Sequence, residues 1–210
     1  MNKKTILNVF STLALLLILA GCFRVERSYS EKRYFVLDVS RQKEVSSAVK
    51  GAVLLIHKFR VSPRYDGKGF VYRLGDLTYE SDYYNKFFIS PGSLLAEEVR
   101  KWLARSGLFE HVVESPRAVE PAYILEGEVM TLYGDYSEGA TPKAVLGIDL
   151  MLIRDASDGS KIVLQKHYHE EVPLKANTPE ALIEGWNKAL QHILTGFERD
   201  LRVKALKKKL

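Results

Sequence analysis

The chain has 210 residues, of which 46% are hydrophobic and 27% are charged, close to the averages for a soluble globular protein. This composition excludes long disorder, collagen-like repeats and a membrane protein with several spans, and the length allows one large domain or two small ones. With 31 Lys and Arg against 26 Asp and Glu the net charge is +5, without the clustered positive charge of nucleic-acid-binding proteins. The single cysteine excludes an intramolecular disulfide and a multi-cysteine metal site.

The first residues have the pattern of a secretory signal peptide. Lys3 and Lys4 precede an apolar stretch from Ile6 to Ala20. About 15 helical residues cover roughly 22 Å, which is too short for a hydrocarbon core of about 30 Å. The stretch ends Leu19-Ala20-Gly21-Cys22 and resembles the bacterial lipobox. Residues 1–21 are therefore interpreted as a lipoprotein signal peptide.

The lipobox resemblance implies a lipid anchor on Cys22, with a diacylglycerol on the sulfur and a further acyl chain, such as palmitate, on the amine. Several acyl chains at ~0.8 kcal/mol per buried methylene make a stable anchor. The alternative is a small buried residue in an uncleaved helix. Phe23 stands where Asp would mark inner-membrane retention under the enterobacterial sorting rule. We therefore expect the periplasmic face of the outer membrane of a Gram-negative bacterium, with no cofactor besides these lipid groups.

Residues 22–33 are mostly polar and charged and are predicted to form a lipidated tether. Tyr34–Val39 is predicted as a strand. Residues 52–61 begin as a continuous apolar run and end in alternation, which is typical of a central strand.

Aromatic segments follow on either side of a turn. Residues 70–73 and 77–80 around Gly75-Asp76 predict a hairpin, and residues 83–89 predict a further strand.

Two helices are predicted from their caps and apolar faces. The first has Ser90 as its cap, Pro91 at its first position and Gly107 at its end. The second follows Thr178-Pro179. Apolar residues recur at helical spacing in both: Leu95, Val99, Trp102 and Leu103 in the first, and Leu182, Trp186, Ala189, Leu190, Ile193, Leu194, Phe197 and Leu201 in the second.

Between the two helices, a short segment at 108–113 is followed by three long predicted strands, at residues 122–133, 144–155 and 162–172. The last strand is predicted to turn Ile162, Leu164 and Tyr168 inward, and Gln165, His167 and His169 outward.

The order of elements lacks regular βαβ alternation and predicts the α+β class: a mixed, largely antiparallel sheet with two main helices packed on one face, in a single domain. This domain is expected at residues 34–203. The remaining residues, 204–210, are predicted to be a solvated basic tail, with anionic lipid as the alternative contact.

Catalytic and metal-binding patterns are weak. His167 and His169 would share one face of a strand, but only two ligands have a known geometry, so a solvent-facing surface is favoured over a metal site. Two pairs of carboxylates lie elsewhere: Glu97 with Glu98, and Glu126 with Glu128. Neither pair is linked to a nucleophile or to a Gly-rich phosphate loop. The sequence predicts no catalytic residue, no metal site and no enzyme.

A dense aromatic group is the main candidate for a contact site. It comprises Tyr72, Tyr79, Tyr83, Tyr84, Phe87 and Phe88. These rings either pack in the core of a hairpin or form an exposed surface for a protein partner or for acyl chains. Alternation along a strand would send about half of them inward.

The order of elements resembles the ABC-type transport auxiliary lipoprotein family, which includes the lipoprotein of the paraquat-inducible system. The segments that carry the resemblance are the lipobox, Tyr34–Asp38, Val53–Val61 followed by Pro63, Phe70–Arg73, Leu77–Tyr79, Tyr83–Phe88, the helix begun by Pro91, the strand meander and the long last helix. Val71-Tyr72-Arg73 is the most specific of them.

The resemblance implies a non-catalytic accessory component of a lipid or organic-solvent transport system. Its partners would be a periplasmic substrate-binding protein of the mammalian-cell-entry (MCE) type and the ABC permease and ATPase. A homo-oligomer is left open, and no nucleic acid is expected. Two alternatives remain: a structural lipoprotein that assembles an outer-membrane β-barrel machine, and a periplasmic hydrolase that uses His167 or a nearby carboxylate.

Overall fold

A computed structural model describes Lys3 and residues 31–41, 52–116, 120–155 and 159–207. The chain divides by its internal contacts into two units, Met1–Glu31 and Lys32–Leu210. Cys22 and nearly all of the predicted signal peptide lie outside the described residues, so acylation of Cys22 stays a prediction. No helix within the described ranges is long and apolar enough to cross a membrane.

The second unit has the predicted α+β fold, with a mixed sheet and two helices. In chain order the elements are β1 (Arg33–Phe35), β2 (Val53–Ile56), β3 (Arg60–Val61), β4 (Gly69–Arg73), β5 (Tyr79–Phe87), α1 (Pro91–Ala104), β6 (His111–Val113), β7 (Tyr123–Asp135), β8 (Lys143–Arg154), β9 (Lys161–Pro173) and α2 (Pro179–Lys207).

The strand β7 organises the sheet. One of its edges pairs antiparallel with β8, which pairs antiparallel with β9. Along its other edge, β2, β3 and β4 pair with it in succession, all parallel. Beyond these, β2 pairs with β6, and β4 pairs with β5, which in turn pairs with β1. The strands β1 and β9 therefore lie at opposite edges of the sheet.

The predicted strand at residues 52–61 is wrong in its middle, because the chain leaves the sheet to bury Phe59. Residues 57–59 separate β2 from β3. The Phe59 ring packs where a side chain at position 127 would stand: a Cβ on Gly127 would lie 2.6 Å from it. Glycine in β7 thus creates the space that this ring fills.

The predicted strand at Tyr34–Val39 is too long, because it ends as β1 at Phe35. Leu37 and Val39 continue into the core without sheet pairing. The Val39 amide instead donates to Glu98 Oε2 over 2.9 Å, and the Asp38 amide donates to Asn187 Oδ1 over 3.0 Å. Side chains of the helices therefore take over from strand hydrogen bonds.

The predicted hairpin is confirmed. The strands β4 and β5 are antiparallel, and the Leu74 amide donates to the Thr78 carbonyl over 2.9 Å to close the turn. The separate strand predicted at 83–89 is instead the continuation of β5 as far as Phe87.

The helices also form where they were predicted, and the apolar residues of both predicted stripes are buried. Thr178 Oγ1 accepts from the Ala181 amide over 3.2 Å, as expected of a cap. The Ser90 side chain does not cap α1, because its hydroxyl donates to Ser93 Oγ. The helix α2 continues to Lys207, into the segment predicted as a tail.

One residue of β9 departs from the predicted alternation. Leu164 and Tyr168 are buried as expected, but the side chain of Ile162 is 59% exposed. The register shifts between Leu152 and Ile153 of β8, so Val163 is an extra residue between the two pairs. This bulge turns Ile162 outward.

A buried carboxylate joins the helices to the segment after β1. Glu198 of α2 accepts hydrogen bonds from Arg41 over 3.0 and 2.8 Å, from Trp102 Nε1 and from Arg202. Burial alone would raise the pKa of this carboxyl, but the hydrogen bonds from Arg41 and Arg202 lower it below its usual value. Glu198 is therefore a charged anchor within the core.

Candidate interaction surfaces

The structure separates the six clustered aromatic residues into buried and exposed members. Phe87 is only 2% exposed, and its ring lies 4.9 Å from the Phe70 ring and 5.3 Å from the Trp186 ring, measured between centroids. Tyr79 is half-buried, with its ring edge-on to Tyr133 at 5.8 Å. Phe87 is therefore a core residue, and its assignment to a contact surface is wrong.

The exposed members lie on β5 and just after it. Tyr83 and Phe88 are each 61% exposed, and Tyr84 is 44% exposed. The rings of Tyr83 and Tyr84 meet edge-on at 5.3 Å. Exposed rings of this size that touch one another form a contiguous surface rather than scattered apolar residues.

An irregularity in β5 presents Tyr83 and Tyr84. Val71 of β4 pairs with Ser81, but Gly69 pairs with Lys86. Between these two pairs β4 has one residue, whereas β5 has four, residues 82–85. The chain passes so close at this point that a Cβ on Gly69 would lie 2.6 Å from the Asp82 carbonyl oxygen. Glycine at position 69 therefore admits the looped-out residues 82–85.

Asp82 holds this loop in place. Its Oδ1 accepts from the amides of Tyr84 and Asn85 over 2.7 and 2.9 Å. Its Oδ2 accepts from the Tyr72 hydroxyl and from Asn85 Nδ2, both over 2.7 Å. Four donors on one carboxylate fix the backbone that carries the exposed rings.

The same hydrogen bonds set the charge of Asp82. Burial alone would raise the pKa of its carboxyl, but hydrogen bonds from Asn85, Tyr72 and Tyr84 lower it below the usual value. Burial raises the pKa of the Tyr72 hydroxyl, and the hydrogen bond to Asp82 raises it further. The pair therefore stays as carboxylate and neutral phenol at neutral pH.

Lysines lie among the exposed rings. The Lys32 and Lys86 ammonium groups lie 4.5 and 4.8 Å from the centroid of the Tyr83 ring. The register of β1 sets Tyr34 opposite Lys86, and the Tyr34 ring meets Phe88 edge-on at 6.3 Å. We call this group the basic aromatic surface; it comprises Lys32, Tyr34, Tyr83, Tyr84, Lys86 and Phe88.

The Lys32 ammonium and the Tyr83 hydroxyl also shift each other's pKa. The hydrogen bond from Lys32 lowers the pKa of the Tyr83 hydroxyl, and the same contact raises the pKa of Lys32. Lys32 is therefore charged at neutral pH.

A second surface lies at the turn of the β4–β5 hairpin. An open cavity of about 330 Å³ is lined by Tyr72, Leu74, Tyr136, Asn177, Thr178 and Pro179. Leu77, in the same turn, is 94% exposed. We call the cavity together with Leu77 the hairpin-end surface. It is mostly apolar and contains no lysine.

The histidines of β9 contact carboxylates on the outward face of the sheet. His167 Nδ1 lies 2.5 Å from Asp149 Oδ1, and His169 Nε2 lies 3.4 Å from Glu171 Oε1. Glu128 accepts from Arg60 over 2.8 Å. No group of three or more His, Cys, Asp or Glu side chains in the described ranges could hold a metal ion.

The sequence alone missed several members of these surfaces. Tyr34 belongs to the basic aromatic surface, yet it lies far from the aromatic group in the chain. Asp82 gave no signal by itself, although Asp side chains commonly accept a hydrogen bond from the backbone two residues on, as Asp82 does from Tyr84. Leu77 was placed within a strand, whereas it lies at the tip of the turn.

The fold is similar to that of several solved structures. Protein XCC0632 from Xanthomonas campestris, described by the family model DUF330, superimposes with a TM-score of 0.72 at 15% identity, over 84% of this chain and 98% of that one. An uncharacterized protein superimposes with a TM-score of 0.62 at 15% identity, over 81% of this chain and 99% of that one. The hypothetical protein CT253 from Chlamydia trachomatis superimposes with a TM-score of 0.50 at 9% identity, over 71% of this chain and 97% of that one.

No family model matches the sequence, and no curated protein matches it significantly. At these levels of identity the likeness to solved structures establishes the fold alone.

Proposed function

We propose that this chain is a lipid-anchored, non-catalytic auxiliary component of an ABC-type lipid transport system. Its acylated Cys22 would hold it on the periplasmic face of the outer membrane, where the folded domain docks the MCE-type substrate-binding protein. The lipobox and the resemblance in the order of elements support this role. The hairpin-end surface is the observation that carries the docking function.

The chemistry of the hairpin-end surface suits a protein partner. The central parts of protein interfaces are rich in aromatic side chains and poor in charged ones. The cavity offers two tyrosine rings, Tyr72 and Tyr136, which meet edge-on at 5.5 Å. Leu74 lines the cavity, and Leu77 is exposed in the same closed turn. A turn held in this way loses little conformational freedom when an apolar side chain of a partner binds.

The docking function is tested by capture of the MCE protein from the same cell with the full-length lipoprotein. Leu77→Ser, alone and combined with Leu74→Ser, is expected to weaken capture, because buried apolar contacts at interface centres each contribute about 1–2 kcal/mol, or roughly fivefold to thirtyfold in affinity. Ile162→Ser is the matched control, since Ile162 is an exposed apolar residue on β9 at the other edge of the sheet.

Equal capture by Leu77→Ser and Ile162→Ser would exclude the hairpin end as the docking site. If the parent chain captures no MCE protein and instead copurifies with an outer-membrane β-barrel, the assembly role replaces the transport role.

A further inference from the structure

We propose that the basic aromatic surface rests on the membrane that holds the lipid anchor, so that anionic phospholipid fixes the orientation of the domain. The inference depends on the anchor at Cys22 that belongs to the proposed function, and adds a second, non-covalent contact. Its occupant is a lipid surface rather than a protein.

The residue types of this surface favour contact with lipid over contact with a protein partner. Lysine is depleted in protein interfaces, whereas lysines near an anionic membrane bind it favourably. Tyrosine is enriched at the level of the lipid headgroups, where the ring meets acyl chains and the hydroxyl stays hydrated. Here two ammonium groups, of Lys32 and Lys86, flank the exposed ring of Tyr83, and Phe88 adds an apolar ring.

The position of the surface in the chain points to the same occupant. Nine residues separate Cys22 from Lys32, the first residue of this surface. The ten steps between them reach at most about 35 Å when extended. The anchor therefore holds Lys32 at a high effective concentration against the lipid, which strengthens even weak contacts.

The surface is also preformed. Asp82 fixes the backbone of Tyr84, and pairing of β1 with β5 sets Tyr34 opposite Lys86. Arg33, which lies between Lys32 and Tyr34 in the chain, pairs with Glu180 at the start of α2. Rings held in this way lose little conformational freedom on contact with lipid.

The test uses the full-length acylated protein in vesicles of phosphatidylethanolamine and phosphatidylglycerol. Cys22 is the single cysteine and its sulfur would be acylated, so an introduced cysteine supplies the only free thiol for a fluorophore. A label at Tyr84→Cys reports on the basic aromatic surface, and a label at His167→Cys reports on β9. Lipids with a spin-labelled headgroup quench a fluorophore that lies at the membrane surface.

We expect strong quenching at position 84 and weak quenching at position 167, with less quenching at position 84 at high salt. The double variant Lys32→Glu, Lys86→Glu should reduce the ratio of membrane-bound to free orientations of the domain at least 25-fold. Each lysine near an anionic membrane strengthens binding about fivefold. The control pair Lys58→Glu and Lys188→Glu changes the net charge equally at exposed positions and should leave the ratio unchanged.

Several results would overturn the inference. If the protein floats with the vesicles but shows no quenching at position 84, the surface does not contact the membrane, although the lipid anchor is present. Unchanged quenching in the Lys32 and Lys86 pair, or equal loss in the control pair, removes the assignment to this surface. Failure of the protein to float removes the anchor, and the inference with it. If the Lys32 and Lys86 pair instead abolishes capture of the MCE protein without any quenching at position 84, the surface binds protein.

Discussion

A single carboxylate, Asp82, connects the two exposed surfaces. Its Oδ2 accepts from Tyr72, which lines the hairpin-end cavity, and its Oδ1 fixes the amide of Tyr84 on the basic aromatic surface. One residue in this way positions parts of both candidate surfaces.

Asp82→Ala should lower the free energy of unfolding by about 2–3 kcal/mol, because it leaves the Tyr72 hydroxyl and the Asn85 amide without their charged acceptor. Urea unfolding measures the change. Asp76→Ala is the control: the Asp76 side chain is fully exposed and lies 3.6 Å from Arg73, so its loss should change stability by less than about 0.5 kcal/mol. Equal effects of the two variants would contradict the structural role of Asp82.

The effect of Asp82→Ala should also depend on pH. The pKa of the carboxyl is lower in the folded than in the unfolded chain, so its stabilising effect is fully present above the unfolded value, near 3.9, and is lost as the pH falls through the folded value. The difference between parent and variant should therefore shrink when unfolding is measured at progressively lower pH below about 4.

At the scale of elements, α2 carries a large share of the core. Trp186 is fully buried, donates from Nε1 to the Val145 carbonyl over 3.2 Å, and meets the Phe70 ring edge-on at 5.1 Å. The helix is thus joined to β8 and, through Phe70, to the hairpin that bears both surfaces.

Trp186→Ala is expected to cost about 3–5 kcal/mol, since it leaves a large cavity and removes the hydrogen bond to Val145. Lys188→Ala, on the exposed side of the same helix, should stay within about 0.5 kcal/mol of the parent. Thermal and urea unfolding of both variants check this. If Trp186→Ala unfolds like the parent, the helix does not contribute to the core as described.

Periodicity explains which elements could be predicted from the sequence. The stripe of α2 and the strands β7 to β9 are long enough for a regular pattern to emerge, and they form where expected. The break at Phe59 could not be read locally, because its cause is Gly127, 68 positions later. The exposure of Ile162 depends likewise on a bulge against β8.

The candidate sites were predictable only in part. The aromatic group in the sequence marked the right region. Which of its rings are buried and which are exposed depends on Phe87 packing against Trp186 and on the backbone that Asp82 holds. The cavity joins residues of β4, of the segment after β7 and of the start of α2, so no local pattern contains it.

At the scale of the whole molecule, the proposed function depends on acylation of Cys22, which is a prediction from the sequence. Cys22→Ser should abolish incorporation of labelled palmitate, because serine offers no thiol for the diacylglycerol. Ser30→Ala, in the same predicted tether, should keep the label. Undiminished labelling of the serine variant would contradict the lipobox assignment, whatever the folded domain contacts.

The short pairing of β1 has a mechanical consequence. Only three residues of β1 pair with β5, at the edge of the sheet, whereas Arg41 is held by two hydrogen bonds to the buried Glu198. A pull on residue 31 would therefore separate β1 from β5 first and then meet the buried Leu37 and Val39, which precede Arg41 in the chain. The released residues 32–36 would lengthen the tether by about 17 Å. In the proposed role, the domain could follow a partner that moves away from the membrane, and β1 could pair with β5 again when the load is removed.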